Sequence, residues 1–418
     1  MRRLTLSLAL ALAAPAAPAQ AQAQAPQPVE PSPLSPLSRE IAQNGIAATL
    51  ERLHALPAPA PDERFAIAGL EFLGAVEAAW RWRVTYGVAP FGGMIFGSAA
   101  ELPQTVPPQP MPPEALAEQT QATLEAMARS RAALDGLGAD EDFGLAISLG
   151  DLWFDLDADG RRGMGEGAAE LLDGIVWSSM PGLDPETGEP APPPALPVIR
   201  FDRADAAWLA AYTHLVSGGG ELLLAFDPTP SLRKVFATRA RIDESRLAGG
   251  EAVLPPMLDD LIDPLAVAID MLRNQPDAGR TRAARAHWQQ TIDQNRRFWT
   301  LVGQESDDAG EWIPNDRQVS ATGIAFPPGT GIAWQAVLAD GEALLAGERS
   351  IPFWRGPMGI DLGAWLEDPA PLPVDGVIQG WALADYFSDA PPVSPESFRR
   401  FSDMLMDTGP FLAMVMLN

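Results

Sequence analysis

Proline-rich segments divide this chain of 418 residues and limit the length of its helices. Prolines cluster over residues 57–61, 103–113 and 181–197. A proline inside a helix removes a backbone hydrogen bond and clashes with the preceding turn, so helices tend to end at such segments. The sequence therefore predicts separate helical or extended pieces joined by proline-rich loops, and the loop at 181–197 divides the chain near its middle.

Between these loops, most apolar side chains recur at the spacing of an amphipathic helix. After Asp62, for example, Leu70, Leu73, Val76 and Trp80 follow one another every three to four residues. We predict further helices over 38–56, 114–134, 202–226, 256–274, 278–304, 332–346 and 395–406.

Ser38, Asp62 and Asp202 are predicted to cap the helices that follow them. The triplet at 218–220 is predicted to kink or interrupt its helix, because each glycine costs about 1 kcal/mol relative to alanine. Apolar residues alternate over 143–149, which is strand spacing. The predicted fold class is mainly α with minor β.

Directly after the predicted strand, the chain carries the pattern D-x-[DN]-x-[DN]-G-x₅-E. Asp155, Asp157, Asp159, Gly160 and Glu166 occupy its fixed positions. Three carboxylates at alternate positions can converge on one hard cation, the glycine allows a sharp turn, and the glutamate can supply two oxygens. Without a cation, four carboxylates so close together would repel one another.

This stretch resembles the calcium loop of the EF-hand family, over residues 155–166 only. The resemblance implies one Ca²⁺ site whose ligands are the side chains of Asp155, Asp157 and Asp159, the backbone carbonyl of Arg161, a water beside Gly163 and both oxygens of Glu166. Two features depart from the family. Arg162 stands at the eighth position, where paired loops have a branched aliphatic residue, and a strand pattern rather than a helix precedes the loop. We therefore expect a helical globular body that contains a lone strand–calcium loop–helix element, in which calcium stiffens the fold.

The first residues predict export. Arg2 and Arg3 precede an apolar run over 4–14 and several Ala-x-Ala steps, which is the layout of a cleaved signal peptide over 1–23. A proline-rich leader over 24–37 is expected to be disordered. Cleavage would leave no membrane anchor, and the expected location is the periplasm of a bacterium or the medium outside the cell.

Composition bears on stability and on partners. The chain has no cysteine, so a packed core rather than disulfides must stabilise an exported protein. Its net charge of −26 repels nucleic acid and raises the local concentration of cations. The folded part comprises an N-terminal helical region with the calcium loop, 38–180, and a C-terminal mainly helical region, 198–418. These regions form either two domains or one.

Three functions fit these features. The favoured one is a non-enzymatic calcium-binding protein, in which calcium has a structural role. The second is a carbohydrate-active hydrolase that uses a carboxylate pair, and the acids that could provide one are Glu71, Glu77, Asp259, Asp260, Asp263, Asp307, Asp308 and Glu311. The third is a calcium-dependent protein that binds another protein or a glycan. A cleft with facing carboxylates and an exposed tryptophan would favour the second, and an exposed apolar patch beside the loop would favour the third.

Overall fold

The computed structural model describes residues 33–88, 107–137, 142–171, 196–249, 259–308, 310–324 and 326–405. The predicted signal peptide, most of the predicted leader and most of the middle loop lie outside these residues. Within the described part of the chain, no helix is both long and apolar enough to span a membrane.

The fold is mainly α with minor β, as predicted. The helices are α1 (Pro36–His54), α2 (Pro61–Tyr86), α3 (Ala115–Asp135), α4 (Ala168–Leu171), α5 (Arg203–Ala225), α6 (Thr229–Leu247), α7 (Asp259–Met271), α8 (Ala278–Val302), α9 (Thr330–Ala346), α10 (Leu362–Glu367), α11 (Val374–Gln379) and α12 (Glu396–Met404), with a 3₁₀ helix at Trp381–Tyr386. The predicted positions of α3, α8, α9 and α12 are confirmed to within a few residues. The sequence analysis missed α6, α10 and α11.

Two small antiparallel sheets accompany the helices. Strand β1 (Leu145–Ser148) pairs with β2 (Val198–Phe201), and Leu145 lies opposite Phe201. The second sheet has the order β3 (Ile351–Pro352), β4 (Gly359–Ile360) and β5 (Phe387–Ser388). Because β2 follows the proline-rich middle loop in sequence, the first sheet joins the two halves of the chain.

The predicted cap at Ser38 is wrong. Helix α1 begins at Pro36, and the Ser35 hydroxyl oxygen accepts a hydrogen bond from the Leu37 N–H at 3.2 Å. The Ser38 hydroxyl instead donates to Asp151 Oδ2 at 2.6 Å and is fully buried. It therefore ties α1 to the segment that leads into the acidic loop.

The other two predicted caps have different outcomes. Asp62 is not the cap of α2, which begins at Pro61 after Ala60. The Glu63 carboxylate accepts the Ala60 N–H at 2.8 Å and so takes over the capping role. Asp202 does cap α5, since its Oδ1 accepts the Ala204 N–H at 2.7 Å.

The glycine triplet does not interrupt α5, contrary to the prediction. A side chain at Gly218 would collide with Trp288 of α8, and a Cβ at Gly220 would lie 2.9 Å from Leu124 of α3. The glycines therefore allow two neighbouring helices to pack closely on α5. This packing outweighs the weak helix propensity of glycine.

Two large apolar clusters and one small cluster form the core of the described residues, all of which belong to one compact unit, Pro31–Asn418. The first cluster lies between α1, α2, β1, β2 and the residues around the acidic loop. The second lies between α5, α8, α9, α10 and α12. Trp208 and Trp312 pack against both clusters, with ring centroids 5.9 Å apart.

Candidate metal centre

The acidic loop is closed at its base by backbone hydrogen bonds. Trp153 and Gly167 form an antiparallel bridge. The Phe154 N–H donates to the Glu166 carbonyl at 2.8 Å, and the Ala168 N–H donates to the Leu152 carbonyl at 2.9 Å. Strand β1 precedes this base and α4 follows it, so the strand–loop–helix order predicted from the sequence is present.

Two residues inside the loop have left-handed backbone conformations. Gly160, predicted as the turn residue, has φ of 73°, and Ala158 has φ of 64°. The conformation suits glycine, whereas an alanine in it is strained by the contact of its Cβ with the backbone. The loop is therefore held in a tight turn at a cost in backbone energy.

Asp155, Asp157 and Asp159 lie together, and one carboxylate oxygen from each falls within 4.8 Å of the others. Asp155 is half-buried, while the other two are exposed. Backbone N–H groups orient these side chains: Asp155 accepts from Asp159 at 3.1 Å and from Gly160 at 3.2 Å, and Asp159 Oδ1 accepts from Arg161 at 2.7 Å. The three aspartates could hold a metal ion.

Glu166 is not one of these three clustered acids. Its side chain is buried, with 2% exposed, and its oxygens accept hydrogen bonds from the Leu156 N–H at 2.8 Å and the Gly163 N–H at 2.6 Å. A Cβ at Gly163 would lie 3.0 Å from Glu166 Oε2, so the glycine makes room for this contact. Each carboxylate oxygen keeps a lone pair beyond the one its N–H uses. Metal binding by Glu166 and by the Arg161 carbonyl stays a prediction.

Helix α2 clamps the first loop residue, a feature that the sequence analysis missed. Arg81 donates from Nε and Nη2 to the Asp155 carbonyl at 2.9 and 2.6 Å, and the Asp155 N–H donates to Glu77 Oε2 at 2.8 Å. The pKa of Glu77 is raised, because burial outweighs the opposing effects of the hydrogen bond from Asp155 and the charge of Arg81. Glu77, considered above as one member of a catalytic pair, therefore positions the loop.

Arg162, the residue that departs from the EF-hand pattern, folds back onto the segment before the loop. Its Nη1 donates to the Gly150 carbonyl at 2.9 Å. This contact links the second half of the loop to the turn after β1. In this chain the residue at the eighth position therefore stabilises the loop to which it belongs.

Four of the seven remaining candidate acids contact other described residues. Glu71 lies 3.0 Å from His54 Nε2 and 2.9 Å from Arg129 Nε. Asp263 pairs with an arginine of α6, Asp308 accepts a backbone N–H, and Asp307 lies 3.9 Å from an arginine of β2. Glu311 is buried. The side chains of Asp259 and Asp260 lie outside the description.

The features that would favour a hydrolase occur in different places. An open groove of about 910 Å³ between α3, α5 and the start of α8 carries Glu118, Glu125, Asp227 and Asp277. No aromatic residue of the described chain lines it. The well-exposed tryptophans, Trp354 at 70% and Trp381 at 59%, lie at the second sheet and the 3₁₀ helix.

His214 and His287 lie together between α5 and α8, with their Nδ1 atoms 2.8 Å apart. Burial, with the positive charge of Arg131, lowers the pKa of His214 to about 4 and also lowers the pKa of His287. Both rings are therefore neutral at pH 7, and their hydrogen bond joins the two helices.

Comparison of the chain with protein-family models, with curated proteins and with solved structures finds no match in any of the three.

Proposed function

We propose that this chain is an exported calcium-binding protein and that its single site, in the loop 155–166, stabilises the fold. The observation that carries the proposal is the convergence of Asp155, Asp157 and Asp159, whose carboxylate oxygens lie within 4.8 Å of one another. The proposed ligand set adds the Arg161 carbonyl and the Glu166 carboxylate.

The donor set favours calcium among the common metals. Each proposed ligand atom is an oxygen, and Ca²⁺ takes six to eight oxygen ligands in a flexible geometry. Zinc and copper favour histidine and cysteine, and the chain has no cysteine and no histidine in the loop. The signal-peptide pattern over 1–23 supports the same choice, because calcium outside the cell reaches concentrations that fill weak sites.

The surroundings of the loop support a structural role. Asp155 pairs with Arg81 at 3.4 Å, but Asp157 and Asp159 form no ion pair with a described residue. A bound cation would supply the positive charge that these two carboxylates lack. Glu77 and Arg81 fix the start of the loop to α2, and the base of the loop continues into the first apolar cluster. Ordering the loop would therefore stabilise the packing beneath it.

Thermal and denaturant unfolding in EGTA and in millimolar Ca²⁺ tests the proposal. At a calcium concentration a hundred times Kd, the wild type should gain about 2.7 kcal/mol. Asp157→Ala should lose this gain, because it removes a clustered carboxylate that makes few other contacts. Asp293→Ala, on the exposed face of α8, removes the same charge elsewhere and should keep the gain.

Two results would overturn the site. One is an equal calcium response of wild type and Asp157→Ala; the other is the absence of both a calcium response and calorimetric binding in the wild type. Export is tested separately by cell fractionation and N-terminal sequencing. The mature chain should begin at Gln24, and recovery of the uncleaved chain in the cytoplasm would contradict export.

A further inference from the structure

A partly open apolar cavity of about 380 Å³ lies in the first core cluster. Its walls come from α1, α2, both strands of the first sheet, α5 and the base of the acidic loop. The lining residues share an apolar or aromatic character, and they include Phe65, Phe72, Val76, Ile147, Phe154 and Trp312. Natural ligand pockets have volumes in this range and walls of this kind.

Gly69 in the middle of α2 marks the cavity in the sequence as well as in the structure. It lines the cavity, and a Cβ built there would meet no described atom within 4 Å beyond its own helix backbone. Glycine weakens a helix interior, and no neighbouring element needs the space above this one. The glycine therefore leaves room in the cavity and has no packing role of the kind seen at Gly218.

The wall chemistry narrows the class of occupant. No charged residue is among the described lining residues. Trp312 contributes its ring to the wall, while its Nε1 is fully buried and offers no donor to an occupant. A charged group would lose its hydration in such a cavity without gaining a partner. The wall therefore suits a neutral molecule that is mostly hydrocarbon.

We propose that this cavity binds one neutral, mainly apolar molecule, such as a medium-chain alcohol. A methylene group and a water molecule each occupy about 30 Å³, so the cavity accommodates a chain of about 12 carbons. This site goes beyond calcium binding, and none of its lining residues is a proposed calcium ligand.

Displacement of a fluorescent probe tests the proposal. The protein is unfolded in guanidinium and refolded to strip carried-over ligand, and refolding is checked by circular dichroism. N-phenyl-1-naphthylamine, a neutral fluorophore, should then bind at one equivalent per chain. The affinity of linear alcohols, measured by displacement of the probe, should rise about fourfold per added methylene and stop rising at about 12 carbons. Dodecanoate at neutral pH should be about tenfold weaker than dodecanol, because its charge is desolvated in the cavity.

Substitutions at glycine locate the binding. Gly69→Leu adds four carbons to the wall, about 120 Å³ of the cavity, so it should weaken probe binding and shorten the preferred alcohol by about four carbons. Gly69→Ala adds one methyl group to the same helix and should retain probe binding. Gly219→Leu is the matched control, since Gly219 also lies within a helix, is exposed, and has no described neighbour within 4 Å of a Cβ. It should bind the probe as the wild type does.

Three outcomes would overturn the site. The first is the absence of probe binding by refolded wild type. The second is unchanged binding by folded Gly69→Leu, which would place the probe elsewhere. The third is continued strengthening of alcohols far beyond about 12 carbons, as expected for adsorption to an open surface.

Discussion

The acidic loop and the apolar cavity adjoin each other, yet the chain supplies their residues in opposite ways. The loop's carboxylates come from the 12-residue segment 155–166 and lie together because of local turns. The cavity walls come from positions as far apart as Leu37 and Trp312 and meet only through tertiary packing. Phe154, one residue before the loop, belongs to the cavity wall as well.

The difference shows how each region depends on the rest of the fold. The loop has its geometry largely from its own backbone, although Glu77 and Arg81 fix its start. The cavity exists only when the surrounding helices and strands are in place. The geometry of the loop therefore depends mainly on nearby residues, and the cavity depends on the packing of the whole surrounding core.

Phe154→Ala should have the largest effect, because Phe154 connects the two regions. Phe154 is 2% exposed, and its ring packs edge-on to Trp80 with the ring centroids 4.7 Å apart. Its backbone N–H donates to the Glu166 carbonyl. Truncation should cost about 3–5 kcal/mol in urea unfolding. It should also weaken calcium binding in calorimetry, because the base of the loop loses the side chain that anchors it in the apolar cluster, although the backbone hydrogen bond to Glu166 remains.

Phe226→Ala provides the control for this prediction. Phe226 is 4% exposed but belongs to the second apolar cluster, where it stacks on Trp365. It should lose similar stability and leave calcium affinity unchanged. Equal calcium affinity in both variants would show that the loop and the cavity are independent.

Coupling between the two ligands should be the next largest effect. Calcium should tighten probe binding about fivefold or more relative to EGTA, because Leu152, Phe154 and Ala168 line the cavity and form the base of the loop. The probe must then tighten calcium binding by the same factor. Asp157→Ala should bind the probe equally with and without calcium. Equal probe affinity of the wild type with and without calcium would show that the two sites are not coupled.

These contrasts also explain which features were predictable from the sequence. The fold class, the strand before the loop and the three clustered aspartates depend on periodicity or on residues near in sequence, and each was predicted. The cavity was not, because no local pattern brings Leu37 near Trp312. Gly69, inside a helix with apolar residues at helical spacing, was a local signal that the sequence analysis did not use.

The wrong cap prediction at Ser38 has a related cause. Ser38 has the residue type of a cap, but its hydroxyl is used by Asp151, which is 113 positions away. Glu77 similarly looks like a free acid until the fold places the Asp155 N–H against it. In both cases a contact with a residue distant in sequence determines the role of the side chain, which the sequence alone did not indicate.

Alanine substitutions at two glycines should give opposite signs in the two regions. Gly160→Ala should cost about 1–2 kcal/mol, because φ of 73° strains any side chain. Gly69→Ala should gain up to about 1 kcal/mol, because its helix improves and its methyl group enters open space. Urea unfolding measures both. A loss at both positions would mean that Gly69, like Gly218, makes a close contact.

Ala158→Gly should have the smallest effect and tests whether the loop is strained before calcium binds. The left-handed conformation of Ala158, with φ of 64°, costs about 1 kcal/mol relative to glycine. The greater freedom of glycine in the unfolded chain offsets part of the relief, so the net gain in EGTA should be about 0.5 kcal/mol. Ala78→Gly, at an exposed site in α2, should instead lose about 1 kcal/mol. If Ala158→Gly gains the same amount with and without calcium, the loop has one conformation in both states. If Ala158→Gly gains stability only in the presence of calcium, the ion imposes the turn. The geometry of the loop would then depend on its ligand, just as the shape of the cavity depends on the surrounding fold.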